Sequence, residues 1–249
     1  MTHENNNYRF LVTFIFSSFL LWGNVANALE VNITEDLAYV DTVHQGKIIR
    51  IKRIQDQDNV LTGGFTKTSR KCPPYCIRPI HVAPEVKTFG ELEVLDFIAN
   101  SVNNGTGVMV DARLEAWYMK GTIPGSINIP FTTFSETNNK LVLSAALTKL
   151  GVRKKSKQSF ITSMWESLHK LVKKNGQVSQ DYWDFSEAKD VLLWCNGMWC
   201  GQSPQAIHNL IALGYPPEKI FYYRGGMQAW LLLGLTIVVP EEGSISSAE

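Results

Sequence analysis

The residues best suited to chemistry are four cysteines in two close pairs, Cys72/Cys76 and Cys195/Cys200. A thiolate is a nucleophile and a thiol pair can cycle to a disulfide. Cys195 follows Val191-Leu192-Leu193-Trp194, an apolar run that reads as a buried strand. The loop after it holds Asn196, Gly197, Met198, Trp199, Cys200, Gly201 and Gln202. Ser203 then suits a helix N-cap and Pro204 the first helical position. Ala206, Ile207, Leu210 and Ile211 give that helix an apolar stripe, and Gly214 ends it. Orphan backbone N–H groups and the positive end of the helix dipole converge on such a loop. The expectation is a Cys195 thiol of lowered pKa, with N–H groups gathered from Gly197 and Gly201. A cysteine at a strand end is also ordinary core packing; the loop and the helix start favour chemistry.

The segment Cys72-Pro73-Pro74-Tyr75-Cys76 is short and stiff. It reads as a local disulfide clip or as a second redox pair facing Cys195, with His81 as a nearby base. Four cysteines allow three pairings, and spacing does not choose between them. C-x3-C with C-x4-C matches a zinc site only loosely, so no metal and no cofactor are expected.

Several elements must position these thiols. Ala38–Val43 and Ile48–Ile54 read as a β-hairpin around His44-Gln45-Gly46-Lys47, with His44 solvated. Such a hairpin must pack on a larger body. Thr88 to Glu91 reads as a capping box before a helix carrying Leu92, Leu95 and Ile98. Val108–Asp111 is a short buried strand, Glu115–Tyr118 a helical turn, and Leu141–Val152 a helix. Residues 156–174 read as a basic amphipathic helix, with Arg153, Lys154, Lys155 and Lys157 at one end. Its plain role is core packing, and its alternative is contact with a membrane surface or a partner. Ile220–Tyr223 is a strand, and Met227–Trp230 lies in a final helix ending near Gly234. Alternating strands and helices from Lys87 onward predict an α/β fold with a parallel sheet flanked by helices, preceded by the small hairpin.

With 249 residues and 45% hydrophobic content the chain can build its own core. A net charge of +1 gives no general electrostatic case for nucleic acid. Phe10–Val25 is mostly apolar, follows Arg9 and precedes Ala26-Asn27-Ala28. It reads as a signal peptide spanning residues 1–28, cut after Ala28, and so as export to a bacterial periplasm; an uncleaved anchor is the alternative. The remaining divisions are residues 29–84 (hairpin and Cys-Pro-rich linker), 85–240 (main domain) and 241–249 (flexible tail).

Three stretches resemble the rhodanese-like domain family. They are Asp111-Ala112-Arg113-Leu114-Glu115-Ala116-Trp117 with Gly121–Pro130, then Leu192–Cys195, then Tyr223-Arg224-Gly225-Gly226-Met227-Gln228-Ala229-Trp230. The resemblance covers about Pro84 to Pro240. It implies sulfur transfer, with Cys195 holding a sulfane sulfur as a persulfide and passing it to a nucleophile. Cys200 is an additional thiol inside a loop longer than the family's common one, and is expected to resolve or regulate Cys195. The loop has no Arg or Lys. An anionic donor such as thiosulfate then lacks a cation there, and phosphate esters are discounted. The first expectation is an exported sulfurtransferase or persulfide carrier, whose partners are a small sulfur donor or a thiol/persulfide protein. A thiol–disulfide oxidoreductase using both cysteine pairs, or a non-catalytic binding module, is the alternative.

Overall fold

The computed structural model describes residues 30–69, 77–135, 139–155 and 182–241. The expectations for the signal peptide, for Cys72 and Cys76, for the basic helix from 156 to 174 and for the tail beyond 241 lie outside these residues. The elements below all belong to the unit Val31–Glu249.

β1 (Tyr39–His44) and β2 (Lys47–Lys52) form an antiparallel hairpin. Its turn has positive φ at Gln45 and Gly46, 49° and 77°. The hairpin packs on the larger body, as a marginal two-stranded unit must. Val40 and Ile51 enter a core cluster with Val94, Ile98 and Trp194. The Thr42 hydroxyl donates to Asn103 Oδ1 at 2.8 Å. His44 is not solvated: it is 6% exposed, and its Nδ1 accepts from the Gly125 N–H at 3.3 Å. Burial pushes its pKa down.

A five-stranded parallel sheet follows, in the order β3 (Lys87–Phe89), β9 (Ile220–Tyr223), β8 (Asp190–Trp194), β4 (Gly107–Asp111) and β5 (Ser126–Asn128). A small antiparallel pair, β6 (Arg153–Lys154) with β7 (Trp183–Asp184), lies outside it. β8 occupies the middle. Val191 and Leu193 enter one core cluster, whereas Leu192 and Trp194 enter the other. Successive side chains of a strand point to opposite faces, so a strand covered on both sides reads as a continuous apolar run. The helices are α1 (Glu91–Phe97), α2 (Glu115–Tyr118), α3 (Lys140–Lys149), α4 (Gln202–Ala212) and α5 (Gly226–Leu232). A π-helical turn, Ile98–Val102, extends α1. Among the described residues no helix is long and apolar enough to cross a membrane.

Three boundaries differ from expectation. Thr88 is no helix cap; it lies in β3 and its hydroxyl donates to the Ile80 carbonyl. Gly90 holds the cap position instead, where Glu93 Oε2 accepts its N–H at 2.9 Å. α3 stops at Lys149, before Val152, because Gly151 at φ 82° turns the chain away. α4 starts at Gln202, with Gly201 rather than Ser203 as the cap residue.

Candidate active site

Cys195 leaves the carboxyl end of the central strand, the usual ligand edge of an open α/β sheet. Two features fix that end. The Ala112 N–H donates to the Trp194 carbonyl at 3.0 Å. Arg113 stacks over the Trp194 ring, 4.7 Å from its centroid. Arg113 is itself held by Asp111, with Nε at 2.9 Å from Oδ1 and Nη2 at 2.6 Å from Oδ2, and Nη2 also donates to the Gly121 carbonyl. The Thr122 hydroxyl donates to Asp111 Oδ2 at 3.0 Å.

The loop then rests on α5. The Met227 and Gln228 N–H groups donate to the carbonyls of Cys195 and Asn196, at 2.9 and 3.0 Å. Gly226 makes this docking possible. Its φ is 54°, and a Cβ there would lie 2.2 Å from the Cys195 carbonyl oxygen. Gly226→Ala therefore adds a backbone strain of about 1–3 kcal/mol before any clash. A lower urea midpoint and slower chemistry at the thiols are expected; an unchanged midpoint would contradict this account of the loop. Trp199 Nε1 donates to Gln228 Oε1 at 2.7 Å, and Gln228 Nε2 donates to the Phe65 carbonyl at 3.2 Å.

Cys195 and Cys200 are free and buried, 2% and 4% exposed. Their sulfurs are near enough for hydrogen bonding to bias both ionisations. The Ser203 hydroxyl donates to Cys195 Sγ at 3.0 Å. That contact is why Ser203 caps no helix: its oxygen faces the sulfur. Cys200 Sγ is supported by the Cys195 thiol, by the N–H groups of Gln202 and Asn196, and by the Asn196 side-chain amide at 3.9 Å. When protonated, Cys200 faces Gln202 Oε1 at 3.6 Å.

The acidity therefore lies elsewhere than the sequence led us to expect. Burial pushes the Cys195 thiol well up, and the adjacent Cys200 adds to that. The Cys195 thiol and the backbone donors bring Cys200 down to about 7. Physically, the pair loses its first proton near neutrality and the charge rests on Cys200. A second charge beside it, away from water, is disfavoured. The N–H donors that reach the sulfurs come from Asn196, Gln202 and Ser203 rather than from Gly197 and Gly201.

Sequence reasoning also missed Arg78, in the segment before the main domain. Its N–H donates to the Met198 carbonyl at 2.8 Å, and its carbonyl accepts from Arg224 Nε at 2.8 Å. Its guanidinium lies against Gly201, where a Cβ would be 2.5 Å from Nη2. The loop has no cation of its own, but one is laid beside it. The signal was the bare Gly201, which leaves room for a flat group from elsewhere. Met198 is exposed at the loop surface. Cys72 and Cys76 lie outside the described residues. Among those residues no group of three or more His, Cys, Asp or Glu side chains could hold a metal ion.

A family model described as Rhodanese-like domain matches residues 95–233. The chain belongs to the rhodanese-like domain family, and at the level of that family it points to sulfurtransferase chemistry. Solved structures similar to it include a rhodanese-related protein from Thermoplasma volcanium, with 17% identity over 62% of this chain and 99% of that one and a TM-score of 0.34. The human single domain sulfurtransferase TSTD1 has 18% identity over 60% and 97%, with a TM-score of 0.34. The As-Sb reductase from Leishmania major has 20% identity over 59% and 79%, with a TM-score of 0.32. Comparison with curated proteins gives no match.

Proposed function

We propose that this chain is an exported sulfurtransferase or persulfide carrier that works through the Cys195–Cys200 pair. The observation that carries the reading is the pair itself: two free, buried thiols on one loop at the end of the central strand, with the Ser203 hydroxyl on Cys195 Sγ and the Asn196 amide near Cys200 Sγ. The proton between them can move along the sulfur–sulfur contact, so the charge is available to Cys195 as well as to Cys200. Cys195 occupies the strand-end position and attacks the outer sulfur of a donor. The donor's S–S bond breaks and its electron pair leaves with the donor thiolate or oxyanion. Cys195 then holds the sulfur as a persulfide. An acceptor thiolate takes that outer sulfur, or Cys200 attacks Cys195 Sγ, forming the disulfide and releasing hydrosulfide.

The same pair favours a second reading, a thiol–disulfide oxidoreductase that never carries sulfur. Export is supported by the apolar run Phe10–Val25 followed by Ala26-Asn27-Ala28. A periplasmic location, with a small sulfur donor or a thiol/persulfide protein as partner, follows from the same reading.

Intact mass spectrometry of protein recovered from the periplasm tests these statements. Spectra are taken before and after a sulfane-sulfur donor, with and without reductant. The expected species begins at Leu29 and gains one reductant-labile sulfur. Reversible loss of two protons without sulfur gain would instead establish the oxidoreductase. A mass inert to both reagents would leave only a binding module, and a species beginning at Met1 would remove the cleavage after Ala28.

A further inference from the structure

Arg78 and Arg224 flank the thiol loop, and neither is paired with a carboxylate among the described residues. Five buried side-chain nitrogen or oxygen atoms among those residues lack a partner, and three belong to this site. They are Arg78 Nε, Asn196 Oδ1 and the Tyr222 hydroxyl; the other two, His44 Nε2 and Arg53 Nε, lie elsewhere. A buried polar atom left unpaired costs about 1–3 kcal/mol. Arg78 Nε and the Tyr222 hydroxyl are donors that a bound anion can satisfy, whereas Asn196 Oδ1 is an acceptor that an anion leaves unpaired. Tyr222 pairs in register with Leu193, two residues before Cys195, and Arg224 follows Tyr222 by two, so strand alternation brings them to one face at this end of the sheet. The guanidinium of Arg78 rests directly on Gly201, one residue from Cys200.

We propose that Arg78, with Arg224 and Tyr222, holds the oxyanion head of an anionic sulfane-sulfur donor against the Cys195–Cys200 loop. Of the two cations, Arg224 lies within the matched region 95–233 and Arg78 comes from the segment before it. A planar guanidinium offers paired donors to an oxyanion, and a phenolic O–H adds a third. With thiosulfate as the probe, the Cys195 thiolate bonds to the outer sulfur. The thiosulfate S–S bond breaks, and its electron pair leaves on sulfite. Three negative charges enter and three remain, one on the persulfide and two on sulfite. Arg78 and Arg224 hold the sulfite as it departs.

The inference rests on the sulfur-carrier reading, so the test uses two donors. One is thiosulfate; the other is the persulfide of 2-mercaptoethanol, which has no oxyanion head. Sulfur loading is followed by intact mass against donor concentration for the wild type, Arg78→Gln and Arg78→Lys. The Arg78 backbone makes the contacts that seat the segment, so both variants keep them, and their unfolding midpoints check this. In Arg78→Gln the efficiency with thiosulfate, relative to the persulfide donor, is expected to fall about ten- to a hundredfold, from losing a charged hydrogen bond. Arg78→Lys recovers part of it, keeping the charge but not the planar fork. A ratio unchanged by Arg78→Gln overturns the inference. So does a wild type that loads from the persulfide donor and not from thiosulfate; both results leave the carrier reading standing. A wild type that loads from neither donor removes the carrier reading and the inference with it.

Discussion

Cys195→Ser is expected to abolish sulfur loading, whereas Cys200→Ser keeps it but moves it to alkaline pH. Only a thiolate attacks, so loading must rise with pH as the pair gives up its first proton. In the wild type that rise falls near 7, the value at which Cys200 ionises beside its partner. Remove Cys200, and Cys195 must ionise alone in a buried place that raises its pKa above the ordinary 9.0. The thiolate of the site as a whole at pH 7 then falls by roughly fiftyfold or more, and the midpoint of the loading profile moves from near 7 to above 9.0. In the wild type most of that charge sits on Cys200 and only the share that passes to Cys195 attacks, so the change shows in the midpoint of the profile rather than in the rate at pH 7. In Cys200→Ser the loaded sulfur should also persist longer, because no neighbour is left to release it as hydrosulfide. Mass spectrometry of each variant across a pH series measures both effects. Loading that survives Cys195→Ser and disappears in Cys200→Ser would assign the persulfide to Cys200 instead.

Much of this arrangement was legible in the sequence. The apolar run Val191–Trp194 reads as a buried strand and is one, and Ile220–Tyr223 likewise. Glycine at 214 and 234 stops helices in the structure as it does on paper. What stayed hidden depends on contacts between distant residues. His44 reads as a polar turn residue, yet Gly125 reaches it from 81 positions away. Ser203 has the local look of a cap, but a sulfur eight positions earlier takes its hydroxyl. Thr88 resembles a cap too, and a carbonyl from the preceding segment claims it.

The site shows the same division. Both loop thiols were found from spacing alone, because a strand–loop–helix junction has a local signature. Their ionisation order was not, since it depends on which N–H groups the folded loop turns toward each sulfur. Dipole reasoning treats Cys195 and Cys200 alike. Burial and the donors of Asn196 and Gln202 separate them. Arg78 was invisible for a related reason: 117 positions before Cys195, nothing in its neighbourhood marks it as part of a sulfur site.

Arg113→Met should cost roughly 3–5 kcal/mol, the usual penalty for breaking a buried ion pair from one side. Asp111 and Arg113 are almost wholly buried, with side chains 0% and 2% exposed. Without the guanidinium, the Asp111 carboxylate keeps only the Thr122 hydroxyl and the residue 113 N–H. Domain stabilities run about 5–15 kcal/mol, so the loss is a large share of the whole. The harm should reach the thiols as well. Arg113 covers the Trp194 ring, and Trp194 immediately precedes Cys195. Urea denaturation and the sulfur-loading rate should therefore decline together. The double variant Asp111→Asn/Arg113→Met removes both charges and is expected to recover most of the stability, because an apolar or neutral replacement of a buried pair is close to neutral overall. If the double variant is as unstable as the single one, the guanidinium matters for the space it fills beside Trp194 rather than for the charge it neutralises. In that case Arg113→Lys, which keeps the charge and loses the stacking plane, should be as damaging as Arg113→Met.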